Sequence, residues 1–360
     1  IKHPLIKRYL KEGIRAGWGY ITYNREHNIK LIETIKEIGL NLLWGVGEPQ
    51  KFTYRKSSSS EEKLTKLWKL VAERLENTDI KWFIGMNIAD SREGNTKIEG
   101  AQGQTLDTPS PLDWNYWEKE ILTPLKICAN FSKNYSSVGG IIIDLELYGL
   151  MPGIYNIYQN YGFEDTAYSV FVEKSKRFIS EDIWKQLRGI PLKQRFHWLK
   201  DKGILELYYK ILENTITEYA KRVRNEVQKI NPDLVFGFYQ LNMPSNWFSR
   251  GIMRGFSSPE RPALLFTFET TGKPYLEILR NQNIYLLNAE ALLLGMKENY
   301  SEVIKNSMKY SYGYWLNRIT WLVKTPSVPY GIEIPYNKTP KKAINDLKKA
   351  NQELNKVMGF

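Results

Sequence analysis

A single cysteine in 360 residues, Cys128, excludes an intrachain disulfide and a thiolate metal cluster. Its setting, Leu125-Lys126-Ile127-Cys128-Ala129, reads as part of a buried helix. Histidine is nearly as scarce. His3, His27 and His197 lie far apart and form neither a His-x-His nor a His-Glu-x-x-His pattern, which argues against a zinc hydrolase barrel. No run approaches the roughly 18 apolar residues of a membrane span, so none is expected. There is no Gly-x-x-x-x-Gly-Lys-Ser/Thr phosphate loop and no Gly-x-Ser-x-Gly elbow. The chain starts Ile1-Lys2-His3-Pro4, with neither an initiator Met nor a signal-like apolar region. Such a start suits a trimmed or mature form, so the compartment stays open between cytoplasmic and extracellular or cell-surface.

What is present is charge and aromatic area. The formal net charge is +12, which would suit an anionic partner such as nucleic acid or an acidic glycan. The lysines are spread through helix-like segments and mixed with glutamates, as in Glu61-Glu62-Lys63. No compact basic arm or nucleic-acid motif accompanies them, so a solvated face is the simpler account and no nucleic acid is expected. The 11 Trp and 23 Tyr are more telling, because aromatic faces both fill cores and stack on sugar rings.

Apolar strand patterns alternate with helical ones along the chain. Strands are expected at 16–23, 40–46, 80–88, 138–147, 233–240, 263–269, 283–290 and 313–322. Helices are expected near 26–38, 61–76, 113–131, 164–187, 203–230, 274–281, 300–311 and 339–357. Eight strands alternating with helices is the count for an α/β fold of the (β/α)8 barrel type, here a single domain over 1–360. The segment 150–232, with at least two helices, is expected as a helical insertion after strand four.

In such a barrel the chemistry belongs at the C-terminal ends of the strands. Those ends offer Tyr23 and Asn24, Glu48, Asn87 with Asp90, Asp144, Glu146 and Tyr148, then Tyr239, Gln240 and Asn242. Glu269, Glu290 and Arg318 or Trp321 complete the ring. Trp18, Trp44 and Trp315 lie within predicted strands and are further candidates for the cleft wall.

The most informative stretch is Gly139-Gly140-Ile141-Ile142-Ile143-Asp144-Leu145-Glu146-Leu147-Tyr148-Gly149. Strand alternation puts Asp144 and Glu146 on one face with Ile142 below them, and Ile143, Leu145 and Leu147 on the other. The two Cα atoms are then about 6.5–7 Å apart, close enough for each carboxyl to feel the other's charge. Two acids ending an apolar strand are costly unless paired, hydrogen-bonded or used. Carboxylates whose pKa values are pushed apart are the usual equipment of general acid–base work.

With strand four ending in Asp-x-Glu, the chain resembles the TIM-barrel glycoside hydrolases, in particular the chitinase-like families. That resemblance implies cleavage of glycosidic bonds in an oligo- or polysaccharide, with Glu146 as proton donor and Asp144 as the carboxylate that orients the substrate's N-acetyl group. It also implies a supporting role for Tyr239 and an aromatic floor at Trp321. The sequence departs from the fuller chitinase pattern, because Ile142 stands where that pattern has a third acid and Tyr239 falls on strand five. A divergent family is therefore the better description. A second version resembles the large retaining-glycosidase clan, with the acid on strand four (Glu146) and the nucleophile on strand seven (Glu290), Glu269 being a rival nucleophile. Here Leu145 replaces the Asn that usually precedes the acid.

Substrate contacts are expected from Trp18, Trp44, Asn87, Tyr148, Gln240, Trp315 and Trp321. A carbohydrate substrate is expected, with no cofactor and no metal; the sequence leaves the oligomeric state open. Two other classes compete. One is a carbohydrate-binding barrel without chemistry, which would show affinity but no bell-shaped rate profile. The other is a Mg²⁺-dependent barrel enzyme using Asp144 and Glu146, with Glu269 as a third oxygen ligand.

Overall fold

A computed structural model describes residues 2–54, 58–88, 96–145, 161–268, 272–295, 299–323 and 338–359. Eight parallel strands close into a barrel in chain order: Ile14–Tyr20, Leu42–Val46, Lys81–Asn87, Val138–Asp144, Val235–Tyr239, Ala263–Thr267, Leu286–Leu293 and Gly313–Asn317. The last strand pairs with the first, Ile14 opposite Gly313, so the sheet has no free edge. Helices follow the strands and cover the outside, ending with Pro340–Met358. The expected (β/α)8 barrel is the fold of the chain.

Alternation along each strand sorts side chains into two apolar sets. Ala16, Trp44, Phe83, Ile142, Val235, Tyr239, Leu264, Phe266, Leu287, Ala289 and Trp315 pack together inside the barrel. Leu43, Ile141, Ile143, Phe236, Phe238, Leu265, Leu286 and Leu292 join the layer between strands and helices. Gly140 shows how tightly the inner set is filled. A Cβ there would sit 2.1 Å from the Val235 carbonyl oxygen and 2.4 Å from the Phe83 ring. No side chain fits, and the bare backbone lets Phe83 reach across the lumen.

Several boundaries differ from expectation for local reasons. Strand one stops at Tyr20, because the Asn28 side chain grips both backbone groups of Thr22 at 3.0 and 2.7 Å and turns the chain. Strand seven starts at Leu286, not 283, because Asn283 closes the preceding helix with φ 59, in the left-handed region. Strand eight ends at Asn317, and Ile319–Leu322 forms a 3-10 turn. Strand four ends at Asp144, although the Leu145 amide still donates to the Tyr239 carbonyl at 2.9 Å.

Besides the short helix Gln50–Tyr54, four features lie outside the expected set. The helix Pro4–Glu12 plugs the N-terminal end of the barrel with Leu5, Ile6 and Tyr9. A short antiparallel pair, Lys97–Glu99 and Thr105–Pro109, follows strand three. Helices Leu192–Asp201 and Trp247–Phe256 are the other two. The span expected as one helix at 164–187 is two, Asp165–Ser175 and Glu181–Leu187, separated by the Ser180 cap. Between strands four and five these helices lead into the 26-residue Leu205–Ile230. Their buried side chains, among them Phe171, Leu187, Leu199 and Tyr208, belong to the same apolar layer as the outside of the strands. Buried Glu164 ties this region to the hairpin, accepting from the Glu99 amide at 3.1 Å and from the Ser110 hydroxyl. Burial pushes its carboxyl up to about 7.

Candidate active site at the C-terminal mouth

Strands three, four and five end in register. Asn87 pairs with Asp144, and Asp144 pairs with Tyr239, as direct Cα partners. All three share the inward parity of their strands, since Phe83, Ile142 and Val235 lie in the lumen cluster. Neighbouring strands are about 4.8 Å apart, so an amide, a carboxylate and a phenol stand side by side on the inner rim. Asn87 is exposed and Asp144 half-buried, whereas Tyr239 is buried. The Gln50 side chain donates to the Asn87 carbonyl, fastening the loop after strand two to the end of strand three.

Beneath this rim lies an aromatic floor. The Trp44 ring is 5.1 Å from Tyr239, 5.4 Å from Phe266, 5.5 Å from Trp315 and 5.7 Å from Trp18. Phe268 stands edge-on to Trp315 at 5.1 Å. Trp315 donates its indole N–H to the Thr267 carbonyl at 3.0 Å, which satisfies its one polar atom. Trp44 and Trp315 are only 2% and 1% exposed, so these two expected substrate contacts serve as packed floor beneath the rim. Trp18 is half-buried and stacks near Tyr20 at 5.2 Å, at the upper edge of the floor.

Other expected site residues lie elsewhere. Glu290 sits between Ala289 and Ala291, which face the lumen, so its side chain points outward into the helix layer. There it is 8% exposed, lies near Ser311, and has its carboxyl raised by burial. Gln240 likewise points away from the lumen, between Tyr239 and Leu241, and donates to the Asn242 carbonyl at 2.7 Å. Trp321 lies in the 3-10 turn, half-buried against the outer layer. Asn24 caps the helix Arg25–Ile38 by accepting from the His27 amide, and Glu48 pairs with Lys51. Glu146, Tyr148, Glu269 and Asp90 lie outside the described residues.

The rim also holds groups that reading the strands singly did not single out. Phe266 and Phe268 could have been found by extending inward parity from Leu264. Asn317 has the inward parity of Trp315 at the end of strand eight. Among the described residues, no three histidine, cysteine, aspartate or glutamate side chains converge as a metal site. A cavity of about 940 Å³ opens at the opposite, N-terminal end, lined by His3, Arg8, Lys81, Tyr135 and Asp233 among others. It lies at strand starts, away from the carboxylate.

Neither a protein-family profile nor a curated protein sequence matches the chain. Solved structures do. The catalytic domain of β-amylase from Paenibacillus polymyxa superposes with a TM-score of 0.63 at 12% identity, over 94% of this chain and 98% of that one. The β-galactosidase from the psychrophilic Marinomonas ef1 gives 0.64 at 9% identity, over 96% of this chain and 60% of that one. The agarase AgWH50C gives 0.54 at 15% identity, over 92% and 49%. At such identities the likeness is one of fold. The chain is a divergent (β/α)8 barrel of the architecture found in glycoside hydrolases.

Proposed function

We propose that the protein cleaves glycosidic bonds of an oligo- or polysaccharide by carboxylate general acid catalysis, with Glu146 as the proton donor and Asp144 as the orienting and stabilising carboxylate. The observation that carries this reading is the register row Asn87–Asp144–Tyr239 on the inner rim at the end of strand four. Glu146 follows Asp144 by two residues in the sequence.

The chemistry follows from those groups. Glu146 gives its proton to the glycosidic oxygen as the bond to the anomeric carbon breaks, so the leaving sugar departs as an alcohol. Positive charge then develops on the anomeric carbon and ring oxygen, and the Asp144 carboxylate offsets it. Water adds to that carbon and loses its proton to a carboxylate. A neighbouring anion favours the protonated form of an acid, which is the state a proton donor needs. Asn87 and Tyr239 supply hydrogen-bonding groups for sugar hydroxyls, and Trp18 supplies a platform for an apolar sugar face. The outward direction of Glu290 weighs against the version with a strand-seven nucleophile. It favours Asp144, or Glu269 beyond strand six, as the second carboxylate.

The test is Glu146→Gln, which removes the transferable proton and keeps the shape. Turnover of aryl glycosides or natural oligosaccharides should fall by about 10²–10⁴-fold with an unchanged melting temperature. Undiminished turnover by the variant would end the assignment.

A further inference from the structure

Across the mouth from the acidic rim stands a cation. Strand eight is four strands from strand four in either direction around the closed barrel, so its end faces the end of strand four. Arg318 follows strand eight directly. Its guanidinium lies over the Trp18 ring at 5.1 Å and over the Trp321 ring at 5.4 Å. Trp18 is the register partner of Trp44, with their rings tilted at 5.7 Å, and the Trp44 ring lies 5.5 Å from that of Trp315. A cluster of three tilted indoles thus spans the lumen, and a half-buried positive charge lies over its Trp18 edge.

From this placement we infer that the sugar bound at the mouth is acidic, bearing a carboxylate or a sulfate, and that Arg318 binds its charged group. The inference rests on the glycosidase reading of the mouth and adds the substrate class. A guanidinium carries two parallel N–H groups that match the two oxygens of a carboxylate or sulfate. Its place over two indole rings also restricts the side chain beforehand, so less ordering remains to be done on binding. A sugar ring between the two walls would then have its reacting bond toward Asp144 and its acidic group toward Arg318. The net charge of +12 favours approach of the same class of polymer.

Calorimetric titration of short oligosaccharides at physiological ionic strength tests this. One ligand carries uronic acids, one is the same oligosaccharide with its carboxyls reduced to neutral sugars, and one carries sulfate esters. The wild-type protein should prefer the uronate or the sulfated ligand over the neutral one by about ten- to a hundredfold, and the better of the two identifies the group. Arg318→Lys preserves net charge but loses the planar fork, and Arg318→Gln loses both. Each should abolish most of the preference while leaving neutral-sugar affinity and the melting temperature in place. Equal wild-type affinity for acidic and neutral ligands overturns the inference and spares the glycosidase reading, and so does a preference that survives in both variants. Binding of none of the ligands overturns both. Should the variants fail to fold, the wild-type comparison alone decides.

Discussion

Strands four and seven each bring a carboxylate to the barrel, and the two have opposite fates. Asp144 has the parity of Ile142 and stands on the inner rim, in register with Asn87 and Tyr239. Glu290 is one residue out of phase with the lumen-facing Ala289 and Ala291. It is buried in the helix layer beside Ser311, with its carboxyl raised by that burial. A single step of parity separates a half-buried group on the inner rim from one buried in the helix layer. Being an acid on a barrel strand therefore says little; the face decides.

The largest effect that sharpens this contrast is expected at Asp144. Asp144→Asn should lower kcat by about 10²–10³-fold through lost orientation and charge, with the fold intact by thermal melting. Near wild-type turnover in the variant would remove the rim from the mechanism. Next comes the floor beneath it. Trp44→Ala should cost about 3–5 kcal/mol in denaturant unfolding, because a large side chain is lost from a filled lumen. A loss below about 1 kcal/mol, the range of surface substitutions, would show that the floor is not packed as described.

The smallest effect on activity is expected at Glu290. Glu290→Gln should leave kcat/KM unchanged and act on stability alone. The sign follows from the raised carboxyl: the folded state holds its proton more tightly than the unfolded one. This group's contribution is therefore most favourable at low pH. It declines as pH rises from the ordinary carboxylate range through the raised folded value. The variant should lack that decline in pH-dependent melting curves. A collapse of turnover in Glu290→Gln, with its stability unchanged, would restore the strand-seven nucleophile and reverse the comparison.

Much of this architecture was legible in the sequence, and the failures are instructive. Eight apolar runs located all eight strands, because buried parallel strands are continuous runs of Leu, Ile, Val and aromatics. That same continuity hid the faces. In Leu286-Leu287-Asn288-Ala289-Glu290 the polar Asn288 and Glu290 share the outer face while Leu287 and Ala289 face the lumen, so alternation alone does not say which face is inside. In strand four the same kind of alternation follows the inner face, since Asp144 continues the parity of lumen-facing Ile142. The helix Trp247–Phe256 is not in the expected set, and Gly251 and Gly255 weaken its helical signal. They are there for close packing, since a Cβ on Gly255 would meet Ala220 at 2.3 Å on the neighbouring helix. The plug Pro4–Glu12 carries its signal in a short spacing, Leu5, Ile6 and Tyr9. Its role at the barrel's base depends on contacts remote in sequence. Trp44 and Trp315 looked like cleft residues for the same reason: composition does not separate a sugar platform from the floor beneath it.

On the reading proposed above, carbohydrate binds at the C-terminal mouth beside Asp144. Crystals of the Glu146→Gln variant, soaked with oligosaccharides, test it most directly. A sugar ring is expected within hydrogen-bonding distance of Asp144 and of Asn87 or Tyr239, near the Trp18–Trp44 pair. Sugar found only in the cavity at the N-terminal end, among His3, Arg8 and Lys81, would contradict it.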